Sequence, residues 1–160
     1  MFGKKKPEEV SALGGRPIDW AGLDGGGYVV TFADALAVTQ PEQETLRHEW
    51  SDFENASWSE EKRQITITYV DGAEPLRIQF APEAKQKIAY VIRERLQRSI
   101  VLQEAADLPS GAVARGMVRR SGDESLFTQV IIDGVSGPED NDAVASLERS
   151  LRDITGITED

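Results

Sequence analysis

The sequence predicts an α+β fold built on antiparallel sheets, and three features of its 160 residues carry that reading. Short β-prone runs alternate with turn residues from Pro17 to Phe80, the signature of antiparallel strands and not of β-α-β units. A four-residue apolar repeat then replaces the two-residue one after Pro82. A second set of β-prone runs follows, closed by another helical repeat. A chain of this length buries roughly 70% of its unfolded surface, enough for a core without covalent staples.

Residues 1–15 combine Lys4, Lys5, Lys6, Pro7, Glu8, Glu9, Gly14 and Gly15 with few apolar anchors, the composition of a flexible N-terminal tail. Pro7, Glu8 and Glu9 stand where an apolar signal-peptide segment would lie, so none is expected. Candidate strands are 16–21, 27–33, 35–40, 45–50, 54–59, 64–70 and 75–80. In the last pair, Ile65, Ile67 and Tyr69 alternate with Thr66, Thr68 and Val70, while Leu76, Ile78 and Phe80 alternate with Arg77 and Gln79. One face of that pair is therefore buried and the other wet. Asp71, Gly72 and Pro75 supply the hairpin turn between them.

From Pro82, Ala84, Ile88, Ile92 and Leu96 recur every four residues with Val91 in the same stripe, predicting a helix to Arg98. Pro82 and Glu83 suit its first turn, and Glu83 with Lys87 and Glu94 with Arg98 have i, i+4 spacing. Ile100–Leu102, Ala112–Arg120 and Leu126–Ile132 then read as a three-stranded meander, separated by turns at 108–111 and 121–124. A helix continuing from Pro82 to Ala106 is the alternative, because Gln103, Glu104, Ala105 and Ala106 are good helix formers. A final helix starts near Asn141, with Val144, Leu147, Leu151 and Ile154 on one face and Gly156 as its stop.

Seven strands followed by an amphipathic helix resemble the order of a pleckstrin-homology-like (PH-like) barrel, in which the helix closes one end of two bent sheets. Trp50, Ser51, Asp52 and Phe53, then Ala56 and Trp58 before the strand 64–70, are similar to the segment that bacterial PH-like domains carry at this place. The layout also resembles an uncharacterised family of small actinobacterial proteins, through Trp20, Ala21, Gly26, Gly27, Ala35–Val38, Ala56, Trp58, Val91–Arg95 and Ser99–Val101. The resemblance covers most of 16–155 and implies a fold without a mechanism: a PH-like antiparallel β-barrel with a closing C-terminal helix over 16–98, then the meander and terminal helix packed on it over 99–160. It implies an interaction module more than a lipid binder, since the first hairpin at Leu23–Gly27 lacks the lysine or arginine that a phosphorylated headgroup needs.

The composition excludes whole classes of chemistry. No cysteine is present, which removes disulfides, thiolate metal sites and cysteine nucleophiles and suits a cytoplasmic protein. His48 is the only histidine, and neighbouring strand residues point to opposite faces, so Glu49 is poorly placed to orient it as a base. Asp24–Gly27 lacks the Gly-Lys-Ser/Thr context of a phosphate loop and reads as a hairpin turn. Asp133, Gly134, Glu139, Asp140, Asn141 and Asp142 offer oxygen ligands without calcium-loop spacing, and a helix start accounts for them. No cofactor or metal is expected, and no nucleophile or acid-base motif argues for an enzyme.

Two groups of binding candidates stand out. Trp50, Phe53 and Trp58 share no strand period, which predicts a bend at Ser51–Asn55 and one aromatic ring left at the surface. Residues 81–120 hold eight basic and four acidic residues in a chain of net charge -10. Within that block Lys85, Arg93, Arg95, Arg115, Arg119 and Arg120 are candidates for anion or partner binding. The competing account is neutralisation of the acidic final helix by Arg115 and Arg119. The expected partner is a protein, self-association included; nucleic acid is not expected at a pI near 4.6, and no segment has the roughly 20 apolar residues of a spanning helix. The function expected is a protein-interaction or assembly module, the alternatives being a small-molecule or lipid binder in a barrel pocket or an anion binder through 81–120.

Overall fold

The computed structural model describes residues 5–157. The chain forms two units, Met1–Leu96 and Gln97–Asp160.

Among the described residues, the first unit contains seven strands in two antiparallel sheets. β1 (Asp19–Gly22), β2 (Tyr28–Thr31), β3 (Ala35–Thr39) and β4 (Leu46–Glu49) pair in sequence order. β5 (Phe53–Ser59), β6 (Gln64–Tyr69) and β7 (Leu76–Gln79) form the second sheet, also in sequence order. The alternation expected in β6 is present, with Ile65 and Ile67 fully buried. The glycines after Asp24 make the tight β1–β2 turn, in which the Leu23 N–H donates to the Gly27 carbonyl at 3.0 Å. Gly27 has φ +91°, and a Cβ there would fall on the carbonyl oxygen of Thr39.

The two sheets do not close into the expected barrel. They meet at one corner, an antiparallel bridge between Leu23 and Phe80, where the Ala81 N–H donates to the Gly22 carbonyl and the Asp24 N–H to the Gln79 carbonyl, both at 3.0 Å. The pairing ends there, and Pro82 and Glu83 lie in a turn. The bend expected near Ser51 is a 3₁₀ turn at Trp50–Asp52, followed by a bulge in β5 between Phe53 and Asn55. That extra residue explains the irregular aromatic spacing, because it shifts the strand period between Phe53 and Ala56, both buried, and leaves Trp58 half-buried.

Two expectations at the ends of this unit are corrected. Within the supposed N-terminal tail, α1 (Glu8–Ser11) buries Val10 in a cluster with Val30, Phe32 and Ala37. Val10, with Leu13 packed against the same cluster, docks a segment that composition reads as mobile; residues 1–4 of the expected tail lie outside the described residues. The helix expected from Pro82 is α2 (Lys87–Arg98), buried along Ile88, Ala89, Ile92 and Leu96. The Ala84 carbonyl, which a helix from Pro82 would direct at the Ile88 N–H, accepts a hydrogen bond from the Arg63 guanidinium. Pro82 and Glu83 therefore precede the helix in a turn.

The second unit is the expected meander with its helix. β8 (Ile100–Asp107), β9 (Val113–Arg120) and β10 (Leu126–Asp133) pair antiparallel with β9 in the middle. Exposure alternates residue by residue along β8, as a strand requires, so the helical alternative for 100–106 is excluded. α3 (Asn141–Thr155) sets Leu147 and Leu151 against Leu108, Ala112, Ala114 and Val118. Gly116 lets it come that close, since a Cβ there would stand 2.6 Å from Leu151 Cδ1 and 3.0 Å from Leu147 Cδ2. Gly156, at φ +75°, ends the helix, and the Ile157 N–H closes back on the Arg152 carbonyl at 3.1 Å.

Leu151→Ala removes a fully buried side chain and is expected to cost about 3 kcal/mol, read as a lower urea midpoint with the slope unchanged. Gly27→Ala combines a left-handed backbone with the clash on Thr39, and a loss of ~2–4 kcal/mol is expected in thermal unfolding.

Candidate interaction cleft

Trp58 is the one aromatic of the Trp50, Phe53 and Trp58 group that reaches the surface. Trp50 is buried, its indole N–H donating to the Phe32 carbonyl at 3.0 Å, and Phe53 is fully buried. Trp58 packs on Phe80 with ring centroids 5.3 Å apart. Its other side borders a shallow cavity of about 80 Å³, lined also by Gln86, Ala89, Tyr90 and Arg93.

Each wall of this cleft has a local cause. β5 delivers Trp58 after its bulge, and the late start of α2 leaves Gln86 off the helix. The Glu60 carboxylate holds both, accepting from Trp58 Nε1 at 2.9 Å and from Gln86 Nε2 at 2.8 Å. Ala89 lies on the buried stripe of α2, whereas Tyr90, one position on, is 70% exposed. Arg93 follows Tyr90 by three residues on the same helix, so both sit on one face. Arg93 is exposed and forms no hydrogen bond or ion pair with the described residues.

The basic candidates do not act as one group. Lys85, Arg93 and Arg95 belong to the first unit; Arg115, Arg119 and Arg120 belong to the second. Lys85 is exposed, and Arg95 donates to the Ala33 carbonyl at 2.6 Å. Arg115 binds Asp133 at 2.6 Å, and Arg120 meets Glu124 at 3.9 Å, beside Arg98, which reaches the same carboxylate at 3.2 Å. Arg119 is 0% exposed and donates to Gln129 at 2.8 Å and to Ser99 at 2.7 Å, which corrects its assignment to a surface anion site. The neutralising carboxylates seen on Arg98, Arg115 and Arg120 come from the β9–β10 hairpin and β10, where sequence reasoning looked to the final helix.

The remaining candidates have structural partners. His48 is half-exposed, edge-on to Phe53 and Tyr69, with Nδ1 3.6 Å from Asp52. Burial, helped by Asp71 and Asp52, pushes the Tyr69 phenol above its usual range, the wrong direction for a nucleophile or base. Asp140 is buried and fully engaged within the chain: it accepts from Ser110 Oγ at 2.6 Å and from the backbone N–H groups of Ser110 at 3.0 Å and Gly137 at 3.1 Å. Among the described residues no three histidine, cysteine, aspartate or glutamate side chains are grouped to hold a metal.

Sequence reasoning placed Trp58 and Arg93 in separate groups and passed over Gln86, Ala89 and Tyr90. The available signal was Tyr90, an aromatic ring on the polar side of a helix whose apolar stripe is Ile88, Ile92 and Leu96. In comparison with known proteins, the chain matches no family model, no curated sequence and no solved structure.

The Ser110 hydroxyl, then the Ser110 and Gly137 N–H groups, hold the Asp140 carboxyl below its ordinary value of 3.8. The ionised form is the one the fold binds, so its stabilisation is present above the unfolded value and lost as pH falls through the lower folded one. Asp140→Asn is therefore expected to be less stable than the parent at neutral pH, with the gap narrowing below about pH 4 in urea midpoints taken between about pH 3 and pH 7.

Proposed function

We propose that this chain is a non-enzymatic, cytoplasmic protein-interaction or assembly module with a PH-like layout, and that it meets its partner through the Trp58–Tyr90–Arg93 cleft. Four strands, three strands and a helix, in that order, support the layout. The observation that carries the interaction reading is Tyr90, 70% exposed on a helix that buries Ile88, Ala89 and Ile92, bordering the same cavity as Trp58 and an Arg93 with no partner among the described residues. Tryptophan, tyrosine and arginine are the residue types that dominate interface energetics, because each joins a large apolar area to directional donors.

The size of the cleft separates this reading from its rivals. Pockets for whole small molecules run to roughly 300–1,000 Å³, several times the 80 Å³ found here. A single protruding side chain of a protein partner fits that space. An anion site spread over 81–120 has less support, since Arg95, Arg115, Arg119 and Arg120 are each engaged within the chain.

The test is site-specific photocrosslinking of the full chain in its native host, with benzoylphenylalanine at position 90 or at the exposed Asp24 as reference. Discrete adducts from position 90, absent from position 24 and lost on adding Trp58→Ala, are expected; adduct mass separates a second copy from another protein. Equal labelling from both positions overturns the proposal.

A further inference from the structure

We infer that the occupant of the cleft is an acidic peptide segment, seating one small aliphatic side chain between Trp58 and Ala89 with a neighbouring carboxylate on Arg93. The inference rests on the interaction reading above and names the chemistry of the partner.

Size sets the apolar half. A dry cavity of about 150 Å³ holds one benzene ring, so 80 Å³ admits a few aliphatic carbons. The Ala89 methyl, the Trp58 indole and the Tyr90 ring give that group an apolar seat.

Charge sets the other half. Glu60, in the wall of the cleft, accepts from Trp58 with one oxygen and from Gln86 with the other. It fixes the walls of the cleft and leaves Arg93 to meet the ligand. Arg98, Arg115 and Arg120 each meet a carboxylate of this chain, whereas Arg93 meets none among the described residues. Lys85, Lys87 and Arg93 lie in the segment between Glu83 and Glu94, in a protein whose net charge is -10. All three cations are exposed. A planar guanidinium pairs best with a carboxylate in two parallel hydrogen bonds.

The experiment titrates the ¹⁵N-labelled full chain with two capped dipeptides of equal size, acetyl-Val-Glu-amide and acetyl-Val-Gln-amide, and separately with sodium phosphate. The Trp58 indole N–H and the Ala89 amide are followed by NMR. The glutamate peptide is expected to bind about fivefold more tightly than the glutamine peptide. Arg93→Gln is expected to abolish that preference while leaving the affinity for the glutamine peptide in place. Phosphate is expected to leave Ala89 unshifted. Equal affinity for the two peptides overturns the acidic occupant yet leaves the cleft as an interaction surface. Phosphate reproducing the shifts of the glutamate peptide overturns the peptide in favour of a simple anion. No shift from either peptide, together with no adduct from position 90, removes both readings.

Discussion

In the first unit, the hydrogen bond from the buried Trp50 indole to the Phe32 carbonyl, 3.0 Å long, ties the end of the four-strand sheet to the turn that begins the next one. A buried indole N–H left unpaired costs more than the net worth of the bond, so the tryptophan has one good place to go. Its 3₁₀ turn then fixes where β5 starts, with Phe53 fully buried two residues before the strand resumes its pairing at Asn55. The side of the strand on which Trp58 emerges follows from that count. Half-buried against Phe80 and bonded to Glu60, Trp58 owes its position to a tryptophan eight residues earlier.

A second constraint operates from the helix side. Arg63 occupies the Ala84 carbonyl, the helix begins at Lys87, and Gln86 is left in a turn from which its amide reaches Glu60. With Pro82 at the start of a regular helix, Gln86 would sit inside the first turns, bound to the helical course of its neighbours. The cleft thus arises where two departures from regular structure, a bulge and a delayed helix, face a shared carboxylate. Local irregularity of this kind is a common setting for binding surfaces, because regular strands and helices spend their polar groups on themselves.

The parts of the fold that sequence makes legible are those set by periodicity. The strand positions, the meander of 100–133 and the helix ended by Gly156 all rest on repeats of two or of about four residues, which burial imposes directly. What escaped depends on contacts between residues distant in sequence. Val10 docks on Val30 and Phe32 across about twenty residues, and Arg63 reaches Ala84 across twenty-one. The open corner between the two sheets, a single bridge from Leu23 to Phe80, likewise joins residues far apart in sequence. The same limit applied to the cleft: Trp58 and Arg93 were visible as unusual residues, but nothing in their spacing brings them to one cavity.

Gly116 has a consequence for how the second unit tolerates change. Its position in the central strand leaves the sheet without a side chain where α3 crosses, and Leu147 and Leu151 occupy that space. The three residues therefore share a single volume. Enlarging one has to be matched by trimming another, so substitutions at 116 and at 147 or 151 combine non-additively, and two changes that are each damaging alone offset each other when made together. In protein engineering and in natural drift alike, the strand and the helix of this unit are free to vary only as a pair.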